Sequence, residues 1–186
     1  MNINKQHLEI NMVNKVKFLT GIFLISAVTA CSTTKQLSNT FDANYTSKKA
    51  KLTFYSPNFS AHHMPPLMTA FAYADSYLIS DFCGKNEKAI GKASVNRDNR
   101  TQETWLPAGK IIANIGYYAV GAGGLTGDSY YLFKVDPEVH YKITLTEARP
   151  FVTSYSVTIE AQKNNTPVAI ELEQYENKKD ICKKYS

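Results

Sequence analysis

Only three of the 186 residues are cysteine and only one is tryptophan, and no apolar run is long enough to cross a bilayer comfortably, which takes roughly 20 residues. Three cysteines are too few for a disulfide-dense miniprotein. No Gly-Lys-Ser/Thr phosphate loop and no Gly-x-Gly-x-x-Gly fingerprint occurs, although Gly121 to Gly127 is glycine-rich, so nucleotide binding through either device is excluded. No block of like charge is present, and the net charge is only +5. Residues 1–30 hold three of the basic residues and one of the acidic ones, so the rest of the chain carries +3. That modest, scattered excess argues against nucleic acid as a partner.

What the chain does have is a short apolar segment near its start. Lys15 and Lys17 precede Phe18 to Val28, and the run ends in Val28-Thr29-Ala30-Cys31. A basic start, an apolar core and small residues at the end are the parts of an export signal. Met1 to Asn11 is polar, and Met12 would give a compact signal ending at Ala30. Val28 to Cys31 resembles the lipobox of bacterial lipoproteins. The resemblance implies cleavage before Cys31 and a diacylglycerol on its thiol, with the new amino group acylated in turn. Several acyl chains anchor firmly where one binds only marginally. Ser32 stands where that family's inner-membrane retention signal has Asp, which implies sorting to the outer membrane of a Gram-negative cell.

Export sets the expectation for the other two cysteines. In an oxidising compartment Cys83 and Cys182 read as one disulfide. It would tie the charged C-terminal segment from Lys178 back to the body. Residues 31–49 are rich in Ser, Thr, Asn and Lys and read as a flexible tether, leaving 50–186 as the domain.

Within that domain the pattern is β. Lys51 to Ser56, Lys110 to Val120, Tyr130 to Val135, His140 to Thr146 and Phe151 to Ala161 are β-branched, aromatic or alternating, as strands require. Leu67 to Phe82 fits either period: Phe71, Tyr73, Tyr77 and Ile79 share strand parity, whereas Leu67, Phe71, Ala74, Leu78 and Phe82 follow helical spacing. Aromatic content favours the strand. Gly121 to Asp128 reads as a loop, Asn164 to Pro167 as a turn and Val168 to Leu172 as a last strand. The expected fold is an all-β sandwich with at most one short helix. Leu106-Pro-Ala-Gly-Lys110, followed by Phe133-Lys-Val-Asp-Pro-Glu-Val-His-Tyr-Lys-Ile143, is similar to a pattern in small Gram-negative lipoproteins. Their immunoglobulin-like or PEGA-like β-domains imply a fold and no activity.

Site signals are sparse. Gly127-Asp128-Ser129 spells the nucleophile tripeptide of GDS-type esterases, but Asp136 and His140 lack the Asp-x-x-His spacing of that family, and a triad needs its base and orienting acid in place. His62, His63 and Met64, with Met68 nearby, have copper or zinc character, yet no third or fourth ligand stands at usual spacing. Trp105, Tyr117, Tyr118, Tyr130 and Tyr131 flank the glycine-rich loop, where aromatic rings can stack on sugars or anchor a partner. The expectation is a protein without enzymatic activity or cofactor. It is held to a membrane through Cys31 and binds or scaffolds an envelope partner, a protein or a glycan, with a glycan- or peptidoglycan-binding module as the alternative and hydrolysis as a distant third role.

Overall fold

The computed structural model describes residues 39–59, 69–85, 87–120, 125–147 and 155–185, all of them within one unit, Gln36–Ser186. Chain order runs β1 (Thr40–Phe41), β2 (Lys49–Tyr55), β3 (Thr69–Leu78), α1 (Ile79–Phe82), β4 (Gly91–Val95), β5 (Thr101–Pro107) and β6 (Gly109–Val120). It continues with β7 (Leu125–Val135), β8 (His140–Glu147), β9 (Tyr155–Lys163), β10 (Thr166–Val168), β11 (Glu173–Tyr175) and α2 (Lys178–Tyr185). The strands form a six-stranded sheet in the order β1-β4-β3-β6-β7-β11 and a five-stranded sheet in the order β10-β9-β8-β2-β5. Pairing is antiparallel except between β2 and β8. The protein is therefore mostly β, in a two-sheet, sandwich-like arrangement with two short helices.

Alternation dictates what each sheet contributes to the core. In β2, Ala50, Leu52 and Phe54 are buried while Lys49, Lys51, Thr53 and Tyr55 are not. Ile143 and Leu145 of β8 join them, and from the six-stranded sheet come Ala72, Ala74, Ile111, Ile115 and Phe133. Each fully buried Leu, Ile or Phe contributes roughly 1.5–3 kcal/mol, so this layer is the main stabilising element. β3 presents its small residues, Ala70, Ala72 and Ala74, to that core. Its large ones, Phe71, Tyr73 and Tyr77, take the other face. There a second apolar cluster, Tyr77, Phe82, Ile112, Leu132 and Ile181, lies under the two helices.

Two turns rest on left-handed backbone. Gly109, at φ +107°, stands where the chain crosses from β5 of one sheet into β6 of the other, a conformation that costs other residues dearly. Asn164 and Asn165 both have positive φ and make the two-residue turn that joins β9 to β10, as a type I′ hairpin demands.

Several sequence expectations need correction. The tether was expected to run to Lys49, but the sheet already includes Thr40–Phe41, which pair with Lys92 and Gly91. Asp42 N donates to Ile90 O at 2.7 Å, and Lys88 Nζ pairs with Asp42 at 2.6 Å. A polar segment here is edge strand because it borrows backbone partners from β4. The glycine-rich stretch is shorter as a loop than expected: β7 begins at Leu125, so Gly127 and Asp128 are strand residues opposite Tyr117 and Gly116. Val168 to Leu172 is not one strand. β10 stops at Val168, and the next pairing, Glu173 to Tyr175 with Tyr130 to Leu132, belongs to the other sheet. The single short helix becomes two, α2 being built from the charged C-terminal segment.

Candidate functional site

The outer face of the six-stranded sheet carries polar groups where an apolar layer would be ordinary. Register aligns Lys92, Asp75, Asn114, Tyr130 and Tyr175 in one row across five strands. The adjacent row is Ser94, Tyr73, Gly116 and Asp128. Tyr73, Asp75 and Asn114 are all buried, while Asp128 at the edge of the group is exposed. Tyr73 Oη donates to Asp128 Oδ1. Asn114 Oδ1 is buried and has no hydrogen-bond partner among the described residues, a cost that native structures rarely carry. Burial raises the Tyr77 phenol well above its ordinary value, and the nearby charges of Asp75 and Glu87 add to the effect. Tyr130 is raised as well, by burial first and by Asp128 second. Two carboxylates, an amide oxygen and several phenols give an acceptor-rich strip. Among the described residues no group of three or more His, Cys, Asp or Glu is arranged to hold a metal ion.

The five aromatic residues singled out from sequence do not share a mouth. Neighbouring strand residues point to opposite faces, so Tyr117/Tyr118 and Tyr130/Tyr131 are each divided. Tyr131 is buried in the inter-sheet core, and Tyr117 packs against that core with its ring 5.4 Å from Tyr155. Tyr118 lies 5.4 Å from Phe71 and Tyr130 lies 5.5 Å from Phe82, both on the outer face. Trp105 is on β5 of the other sheet. The division was legible in the sequence, because adjacent tyrosines in a strand cannot face the same way.

The esterase tripeptide is not placed as a triad. Ser129 Oγ lies 3.2 Å from Tyr155 Oη, in β7 of the six-stranded sheet. His140 Nε2 lies 2.8 Å from Thr53 Oγ1, in the five-stranded sheet. Asp136 accepts from Glu138 N at 3.0 Å in the turn after β7. Cys83 and Cys182 are bonded, with an S–S distance of 2.07 Å and Cα atoms 5.3 Å apart. Cys31, His62, His63, Met64 and Met68 lie outside the described residues. A groove of about 350 Å³ opens between Lys134, Tyr141 and Glu171, with Val139 and Ile170 in its wall.

No family model, curated protein or solved structure matches this chain.

Proposed function

We propose that this is a lipid-anchored protein of the bacterial cell envelope, attached through Cys31, whose sandwich-like domain binds or scaffolds a partner there without catalysing a reaction. The observation that carries the reading is the division of labour among three cysteines. Cys83 and Cys182 pair with each other, a bond that persists in oxidising compartments. The third cysteine ends a basic, apolar and small-residue segment, the order of an export signal. Export and a spare thiol at the cut are what the lipobox chemistry requires.

Outer-membrane sorting belongs to the same proposal, on the strength of Ser32. So does the kinship with immunoglobulin-like domains, which two facing, largely antiparallel sheets support. The separation of Ser129 from His140 favours binding over hydrolysis. Intact-mass analysis of protein purified from membranes tests the anchor. The expected product starts at Cys31 and carries the added mass of acyl chains, and a Cys31→Ala variant no longer fractionates with membranes. A product that retains residues before 31 and has no lipid mass would overturn the proposal.

A further inference from the structure

The only tryptophan in the sequence stands where the chain enters the two sheets. Trp105 is 41% exposed, whereas its neighbours Thr104 and Leu106 are buried, so its ring faces outward. Its backbone lies against Gly91: a Cβ added there would come within 2.6 Å of Trp105 O and 3.3 Å of the Phe41 ring. Lys49 Nζ lies 4.8 Å from the Trp105 ring centroid and 5.3 Å from that of Phe41. Tyr45 meets Phe41 edge-on at 5.5 Å. Phe41, Tyr45 and Trp105 thus form one aromatic group bridged by a lysine.

The charges around it have a net sign. Lys51, opposite Trp105 in register, pairs with Glu103 at 2.8 Å, and Lys88 pairs with Asp42 at 2.6 Å. Lys48 and Lys49 are exposed, and among the described residues neither has a carboxylate partner. Four lysines therefore face two carboxylates. Amphipathic rings mixed with lysines are the composition of a membrane–water interface, where the rings sit at headgroup level and the ammonium groups reach the phosphates.

Chain length supplies the occupant. From Cys31 to Asn39, the first described residue, is eight residues, a span of at most about 28 Å when fully extended. Any lipid on Cys31 keeps this end of the domain within that distance of the bilayer. We propose that Phe41, Tyr45, Lys48, Lys49 and Trp105 form a membrane-contact face that seats the domain on an anionic lipid surface. This rests on the reading of Cys31 as the lipidated residue.

Because Trp105 is the sole tryptophan, its fluorescence reports on this face alone. The lipidated protein is reconstituted in vesicles containing brominated phosphatidylcholine, with and without phosphatidylglycerol. The expected result is quenching of Trp105 in the anionic vesicles, weak quenching in the neutral ones, and its loss at high salt. The mature chain, residues 31–186 with Cys31→Ser, isolates the face from the anchor. Its partitioning onto phosphatidylglycerol vesicles falls roughly twenty-five-fold on Lys48→Gln with Lys49→Gln, at about fivefold per lysine. Trp105 emission that ignores lipid composition in both preparations overturns the proposal, as does an emission shift with peptidoglycan fragments but not with vesicles. An absence of lipid mass on Cys31 removes the anchor reading only; the salt-sensitive partitioning of the serine variant still decides the face.

Discussion

The phenol of Tyr73 reaches Asp128 across the bare backbone of Gly116. A Cβ at position 116 would stand 2.1 Å from Gly127 O, 2.9 Å from Tyr73 Oη and 3.0 Å from Asp128 Oδ1. The first of these is backbone and cannot swing away. Gly116→Ala should therefore destabilise the protein by about 1–3 kcal/mol, the usual cost of overpacking. Urea titration measures it, and an unchanged midpoint would mean that β6 and β7 are further apart than described.

The disulfide fixes the edge of the second cluster. Cys83 follows α1 and Cys182 lies in α2, 99 residues on, and both border Phe82 and Ile181. A loop of that length constrains the unfolded chain by at most roughly 4–5 kcal/mol. Replacing both cysteines by serine should lower stability by a large part of that amount. It should also release α2, exposing Tyr77, Ile112 and Leu132 to a hydrophobic dye. A native-like unfolding midpoint with no dye binding would show that the helix is held by packing alone.

Packing under α2 can be tested separately. Ile181 is fully buried and fills the cluster from the helix side, so Ile181→Ala should cost about 2–5 kcal/mol. The sequence hid this helix because its eight residues, KKDICKKY, include five charged ones and span little more than two turns. That is too short for a 3.6 period to register. The strands were easier. Lys51 to Ser56 and His140 to Thr146 alternate because one face packs and the other meets water, and the structure places them as β2 and β8 within a residue or two. The shape of the candidate site was not legible. Asp75 and Asn114 come together only through the register of β3 with β6, and register is a tertiary property. The facing of Tyr117 against Tyr118 was legible from strand geometry alone.

Alkali should unfold the protein cooperatively. Tyr77, Tyr130, Tyr131, Tyr141 and Tyr155 all have phenol pKa values raised from 10.0, and burial is the first cause in each. Above that value the unfolded chain loses protons that the folded one retains, so stability is complete below about pH 10 and declines as pH rises through the folded values. Tyrosinate absorbance followed against pH should show these five residues ionising together with unfolding, above about pH 10. A gradual titration of these five near pH 10 with the fold intact would contradict their burial.

Asn114 separates a structural strip from a binding one. Its Oδ1 is buried with no partner among the described residues, and an unsatisfied atom of this kind costs about 1–3 kcal/mol of desolvation. Asn114→Leu keeps the approximate shape and removes the polar atom. In protein purified free of ligands, the variant should be as stable as the parent or more so, by up to about 1 kcal/mol, since replacing an unsatisfied group by an apolar one is neutral or favourable. Thermal unfolding of both proteins, before and after exhaustive dialysis, is the measurement. If the leucine variant loses stability only against the undialysed parent, a dialysable molecule is donating to Asn114, and the row from Asp75 to Tyr130 is where it binds. If it loses stability against both, the amide oxygen is satisfied by the protein itself, and the strip is structural.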